Sequence, residues 1–283
     1  MESALLKIIV FIKQVPDTGS KAGVNPDGTI DRARAKRMLN PFDRYALQKA
    51  IEIKRTNGAF VTCVTMGPPP ATEILIEAFE HGADAGVLLT DKRLAASDTL
   101  ATAYALHKVV HYLGEFDIIF TGLQTTDGDT AQVGPQIAER LGIPQITYCE
   151  ALSITGKTLT ARRVVEGGHQ DLETPLPVLI TVANSATPLD FKRFADVAAV
   201  KEFLRHPEER EKRVKTVSLD TIGADPSHAG LVGSPTVVGK TWKLGEIGGS
   251  CSIFQGESVE REVEELLAKI EADGKDTMEL VNG

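Results

Sequence analysis

The chain repeats one alternation from its start to about residue 185. Short apolar runs with no polar interruption alternate with segments that carry apolar residues at helical spacing. An uninterrupted apolar run of five or six residues suits a strand covered on both faces. Strands separated by helices imply right-handed crossovers and a mostly parallel sheet. The expected fold is therefore α/β: a Rossmann-like, mostly parallel sheet flanked by helices.

The punctuation is explicit. Residues 8–12 form the first strand, followed by a polar loop over 13–39 with turn signals at Pro16-Asp17, Asn25-Pro26 and Asp27-Gly28. Asn40-Pro41-Phe42-Asp43 opens a helix, with Asn40 as cap, Pro41 at the first helical position and Asp43 in the positive first turn. Its expected buried stripe is Phe42, Ala46, Leu47, Ala50 and Ile51, and Gly58 ends it. Strands are expected at 60–66, 86–90 and 117–121, and helices at 73–81, 97–113 and 131–141. Beyond residue 150 the pattern changes. Residues 151–154 and 158–165 flank Thr155-Gly156-Lys157 as a hairpin, and 177–182 is one more buried strand. A helix is expected over 190–204 and another over 257–273, with Val259, Val263, Leu266, Leu267 and Ile270 on one face. Residues 206–256 carry charge, Gly, Ser and Pro with few apolar runs. The chain thus divides into an α/β domain over 1–205 and an extended C-terminal arm over 206–283 that needs something to pack against.

Net charge of −8 argues against a broad nucleic-acid surface. Three scattered cysteines, Cys63, Cys149 and Cys251, argue against a disulfide framework, a zinc site or an iron–sulfur cluster, and suit a reducing cytoplasmic compartment. The apolar run at 8–12 is too short for a signal segment or a membrane span. His107 and His111 lie four apart on a helix without the glutamate of a zinc-protease motif, so a solvated face is the better reading. No self-sufficient catalytic site stands out, which favours a cofactor-binding or carrier role.

In an open parallel sheet, ligands bind beyond the carboxyl ends of the strands. The most telling loop there is Gly122-Leu123-Gln124-Thr125-Thr126-Asp127-Gly128-Asp129-Thr130-Ala131-Gln132-Val133-Gly134. It is rich in small residues and leads from a strand into a helix, whose free amides attract phosphate. Gly128 permits positive φ or close approach. The same loop reads equally as an ordinary connection in which Asp129 or Thr130 caps the helix. It matches neither GxGxxG nor the P-loop, and Asp127 and Asp129 would repel a phosphate if aimed at it.

The segment Ala161-Arg162-Arg163-Val164-Val165-Glu166-Gly167-Gly168-His169-Gln170-Asp171-Leu172, followed by Pro177-Val178-Leu179-Ile180-Thr181, resembles the signature of electron transfer flavoprotein beta subunits. Residue by residue its alternative is a hairpin with a Gly-Gly turn. Ile12-Lys13-Gln14-Val15-Pro16-Asp17, Leu39 to Asp43, Met66-Gly67-Pro68, Gly82-Ala83-Asp84 and the 122–134 loop agree in order. The resemblance implies a heterodimer with an alpha subunit holding a mobile flavin, and a nucleotide in the beta subunit. That nucleotide is AMP in simple carriers and FAD in the electron-bifurcating branch, which this chain resembles at 127–135, 40–47 and 97–102. It further implies NADH as electron donor, an acyl-CoA dehydrogenase-type partner and ferredoxin as low-potential acceptor. Carried over by position, the nucleotide contacts are Phe11, Asn40 to Asp43, Met66, Gly67 and the loop from Gly122 to Gly134. Residues 184–204 correspond to the partner-recognition segment, with Leu189, Phe191 and Phe194 as anchors.

Overall fold

A computed structural model describes residues 5–17, 36–206, 208, 212–237, 252–255 and 258–281. The turn signals at 25–28 lie outside the described residues. The chain separates into two compact units, Met1–Lys240 and Thr241–Gly283.

The first unit is built on a nine-stranded sheet. In chain order its parallel strands are β1 (Leu6–Phe11), β4 (Ala59–Met66), β5 (Ala85–Leu89), β6 (Ile118–Gly122), β7 (Gln145–Thr155), β10 (Val178–Val182) and β11 (Val214–Val217). The strand order is β11-β5-β4-β1-β6-β10-β7-β8-β9, where β8 (Thr158–Val165) and β9 (Gly168–Pro175) run antiparallel. A separate two-stranded ribbon pairs β2 (Gln14–Pro16) with β3 (Arg37–Leu39). Helices α1 (Pro41–Asn57), α2 (Thr72–Glu80) and α5 (Phe194–Arg205) lie on one side, with α3 (Thr99–Leu113) and α4 (Val133–Leu141) on the other. The α/β expectation holds.

Alternate residues of each central strand feed two separate cores. Ile8, Val10, Ile118, Phe120, Val178 and Ile180 pack with α1 and α2, whereas Ile9, Phe11, Ile119 and Leu179 pack with α3 and α4. Both faces are covered, which is why these strands read as continuous apolar runs.

Several elements depart from the sequence reading. Phe42 is only half-buried, and Asp43 takes the inward position on α1. The segment 214–237, placed by composition in the arm, lies on the first unit: β11 extends the sheet beside β5, and Leu219, Ile222, Ala224 and Ala229 enter the α3–α4 core. A four-residue edge strand flanked by Arg213 and containing Lys215 is too short and too charged to show a period of two. The hairpin starts earlier than expected, because β7 runs from Gln145 and pairs with β10 before it bends to β8. The Gly167 turn, at φ +77°, then joins β8 to β9. Helix α5 starts at Phe194, not at 190.

In the second unit, α6 runs over Val259–Val281, and Val259, Val263, Leu266, Leu267 and Ile270 are all exposed on it. Among the described residues, no helix is long and apolar enough to cross a membrane.

Candidate functional site

The sheet order places the chain's reversal between β1 and β6: the path from β1 moves outward through β4 and β5, and β6 then falls on the other flank of β1. In a sheet of this kind the crevice beyond the carboxyl ends of the two diverging strands is where ligands bind. The segments after β1 and β6 meet there, together with the start of α1.

Asn40 joins them. It is fully buried, its Nδ2 donates to the Gln124 carbonyl at 2.8 Å, and its Oδ1 accepts from the Thr126 amide at 3.3 Å. It makes no side-chain cap to α1, so the capping role expected for it gives way to a tether on the 122–130 loop. Asp43 is the second tether, accepting from the Lys13 amide at 2.7 Å. Burial pushes its carboxyl up to about 7, against hydrogen bonds from Asn40 and the backbone of Lys13 and Gly122. Gly122 is what lets β6 end here. A Cβ on it would lie 2.4 Å from Asp43 Oδ1 and 2.6 Å from the Phe42 carbonyl carbon.

A group whose pKa rises on folding stabilises the protonated fold. Its contribution is complete below about 4 and is lost as pH climbs through about 7. Stability is therefore expected to fall between about pH 5 and about pH 7.5, with a slope of up to about 1.4 kcal/mol per unit. Urea unfolding at both pH values checks this, and Asp43→Asn should flatten the difference.

The acids of the loop are not bare. Asp127 receives Lys13 Nζ at 2.8 Å on both oxygens. Its burial raises the carboxyl, but the hydrogen bond and charge of Lys13 outweigh that and hold it below the usual carboxylate range. Asp129 accepts from Gln124 Nε2 at 3.0 Å. An anion approaching the loop thus meets a neutralised Asp127. The loop's left-handed residues are Asp129 and Ala131, at φ +52° and +53°; Gly128 has no positive φ and an added Cβ there meets only Thr125 Oγ1, at 3.3 Å. The glycine expected to provide the special conformation does not, and two non-glycine residues carry that strain instead.

Helix α4 begins at Val133, two residues later than expected, with Gln132 before it and no side-chain cap from Asp129 or Thr130. Its open first turn presents the Val133 and Gly134 amides, since Pro135 has none. Gly134 is buried. A Cβ there would come within 2.9 Å of Thr121 Oγ1 and of Thr181 Cγ2. Its smallness serves helix–sheet packing rather than ligand approach. Two buried polar atoms lack any protein partner near this end of the sheet: Thr65 Oγ1 in β4 and Gln136 Oε1 in the first turn of α4. Gln136 Nε2 is within 3.3 Å of Thr99 Oγ1, which in turn reaches Gln132 at 3.0 Å. Open helix amides beside a charge-balanced loop are what a nucleotide diphosphate needs.

Of the other site residues named from sequence, Leu123, Thr125 and Thr126 are half-buried in the loop, Thr130 is exposed, and Pro41 and Phe42 start α1 beside it. Met66 ends β4. The Gly67 amide is spent on the Leu89 carbonyl at 3.0 Å. Phe11 is packed in the α3–α4 core. Sequence reasoning omitted Lys13, Thr65 and Gln136. A lysine directly after a buried strand was the available signal for the first; nothing local marks the other two. Among the described residues, no three His, Cys, Asp or Glu side chains converge as metal ligands.

The electron transfer flavoprotein domain model matches residues 27–221. The chain belongs to the electron transfer flavoprotein family. It is 40% identical over 266 residues to the electron transfer flavoprotein subunit beta of Clostridium acetobutylicum, covering 94% of this chain and 96% of that protein. It is 39% identical over 272 residues to the acryloyl-CoA reductase electron transfer subunit gamma of Anaerotignum propionicum, covering 94% and 98%. Protein FixA of Bradyrhizobium diazoefficiens is 43% identical over 238 residues, covering 81% and 80%. Membership in this electron transfer flavoprotein family gives the chain an electron-transfer role.

Proposed function

We propose that this chain is the beta subunit of an electron-bifurcating flavoprotein, holding FAD at the β1–β6 crevice and pairing with an alpha subunit. The observation that carries the reading is the 122–134 loop, tied down by Asn40 and Lys13 and opening onto the first turn of α4. Its likeness over 94% of its length to an acryloyl-CoA reductase electron transfer subunit supports an acyl-CoA-linked system. FAD, when bound, supplies the chemistry that accepts a hydride from NADH and divides the electrons between an acyl-CoA dehydrogenase-type partner and a low-potential acceptor such as ferredoxin. The protein's part is to hold and orient it. Asn40 fixes the loop, Lys13 offsets Asp127, and the Val133 and Gly134 amides of the α4 first turn would receive the phosphates.

The deciding experiment is nucleotide analysis of the purified heterodimer. Two FAD per heterodimer agree with the proposal; one FAD with AMP would make the chain a simple carrier. Gly128→Glu should weaken beta-site nucleotide binding on the order of fivefold through charge, and a Gly128→Gln control should not. The glycine is exposed and unstrained, so the effect comes from repulsion rather than a clash.

The recognition segment gives a second test. Phe191 and Phe194 are 93% and 87% exposed, whereas Leu189 packs partly against the α1–α2 core. Alanine at Phe191 and Phe194 together should change stability by less than about 0.5 kcal/mol while slowing transfer to the dehydrogenase at least about fivefold. Leu189→Ala should instead cost about 1–2 kcal/mol of stability. Stopped-flow transfer rates and urea unfolding of the same variants separate the two effects.

A further inference from the structure

On the outer side of α3 and α4, away from the tethered loop, five basic or titratable side chains gather around one tyrosine. The Tyr104 ring lies 5.2 Å from the His107 ring and 5.2 Å from the His228 ring, centre to centre. Lys108 Nζ stands 5.9 Å and Arg140 Cζ 5.5 Å from its centre, and His111 meets His107 edge-on at 5.6 Å. Three elements contribute: α3, the last turn of α4, and the short 3-10 turn Pro226–His228, held to α3 by the Asp225 amide donating to the Tyr104 hydroxyl at 2.8 Å.

Many cations of the described surface are compensated in place. Arg44, Lys54, Arg93, Arg162 and Arg193 each sit against a carboxylate. Among the described residues, Lys108 and Arg140 have no acid within ion-pair distance, and the contact each makes is with the Tyr104 ring. Asp225 borders the cluster with its carboxylate accepting from the Ser227 amide at 2.9 Å, and Glu139 precedes Arg140 on α4. The convergence is felt inside: burial lowers the His107 pKa, and Arg140, His111 and Lys108 lower it further, against the Tyr104 carbonyl that holds its ring. Placing uncompensated like charges together costs stability, and the patch does so in a chain of net charge −8.

We propose that this α3–α4 face is a docking surface for a carboxylate-rich protein partner. Charge complementarity selects the occupant. Two permanent cations, Lys108 and Arg140, are joined by exposed His111 and His228 across three elements, a breadth that fits a protein face. A small planar ligand is disfavoured because Tyr104 is only 8% exposed and offers little open ring face to stack on. An acidic partner would be repelled by the rest of this acidic chain, so the patch sets where it lands and steers its approach. Arg140 in the last turn of α4, with Lys108 and His111 in the second half of α3, sets the patch at the ends of these helices remote from Thr99 and Val133. The inference is independent of which nucleotide the crevice holds.

The test uses the full-length protein as purified, with a decaglutamate peptide as probe and histidine ring NMR signals as readout. The peptide should shift His111 and His228 saturably, with affinity falling at least about tenfold between low and physiological salt. Lys108→Gln with Arg140→Gln should weaken binding at least about fivefold. Arg140→Glu alone, at an exposed position, should do the same with unchanged thermal stability. Unshifted histidines, or variants that bind the peptide as the parent does, would overturn the proposal. So would displacement of the peptide by inorganic phosphate at equal ionic strength, which would make the patch a small-anion site.

Discussion

Gly122→Ala is expected to lower stability by about 3 kcal/mol and to empty the beta-subunit nucleotide site. The added methyl has nowhere to go: it would stand 2.4 Å from Asp43 Oδ1, 2.6 Å from the Phe42 carbonyl carbon and 2.7 Å from the Asp43 amide nitrogen. Two of those three are backbone at the start of α1, so relief requires moving the helix away from β6. Overpacking of a rigid site costs 1–3 kcal/mol, and more where backbone must shift. Moving α1 also pulls Asp43 from the Lys13 amide and Asn40 from the loop, so the nucleotide should be lost with the stability. Gly134→Ala is the comparison. Its methyl meets the side chains of Thr121 and Thr181 at 2.9 Å, and these can turn, so about 1–2 kcal/mol is expected. Urea unfolding and nucleotide content after gel filtration measure both; equal costs for the two would contradict the backbone argument.

Asn40→Ala should cost about 2–3 kcal/mol and uncouple the loop from α1. The side chain is wholly buried and bonds backbone groups of Gln124 and Thr126 as well as the Asp43 carboxyl. Removing it leaves a carbonyl and an amide without their partner, and an abandoned buried polar group costs more than the net worth of the bond it made. Asn40→Asp is the sharper probe. It keeps the acceptor for Thr126 but replaces the donor to the Gln124 carbonyl with a carboxylate oxygen, one helical turn from the Asp43 carboxyl. Hydrogen exchange at 122–130 should rise in both variants, and more than at β5. Unchanged protection there would show that the loop stands without Asn40.

The parallel sheet was legible because its cause is local. A strand covered on both faces must be apolar throughout, and the runs at 8–12, 117–121 and 177–182 have no other stable use in water. Helix stops at Gly58, Gly114 and Gly142 were equally visible, each with positive φ in the structure. The family resemblance also rested on contiguous residues, from Ala161 to Leu172. By contrast, β11 and residues 219–229 were read as part of an arm, because their apolar residues are too few to show a period and gain meaning only beside β5 and α3.

The crevice divides the same way. Sequence alone determined that a loop of small polar residues follows β6 and enters a helix, and that Asn40, Pro41 and Asp43 open another helix. Tertiary structure decided what those residues do. Asn40 was read as a cap because capping is a contact within one helical turn; its actual partners lie 84 and 86 residues away. Asp127 read as a repulsive charge because Lys13, 114 residues distant, is adjacent only after β1 and β6 pair with each other. Gly128 drew attention for its freedom, while the crevice glycines with no room for a Cβ are Gly122 and Gly134, whose neighbours come from α1, β6 and β10. Periodicity and punctuation are properties of neighbouring residues and survive in a linear string. Charge compensation, orphaned polar atoms and the space available to a Cβ depend on which distant segments the sheet brings together, and only the folded chain fixes those.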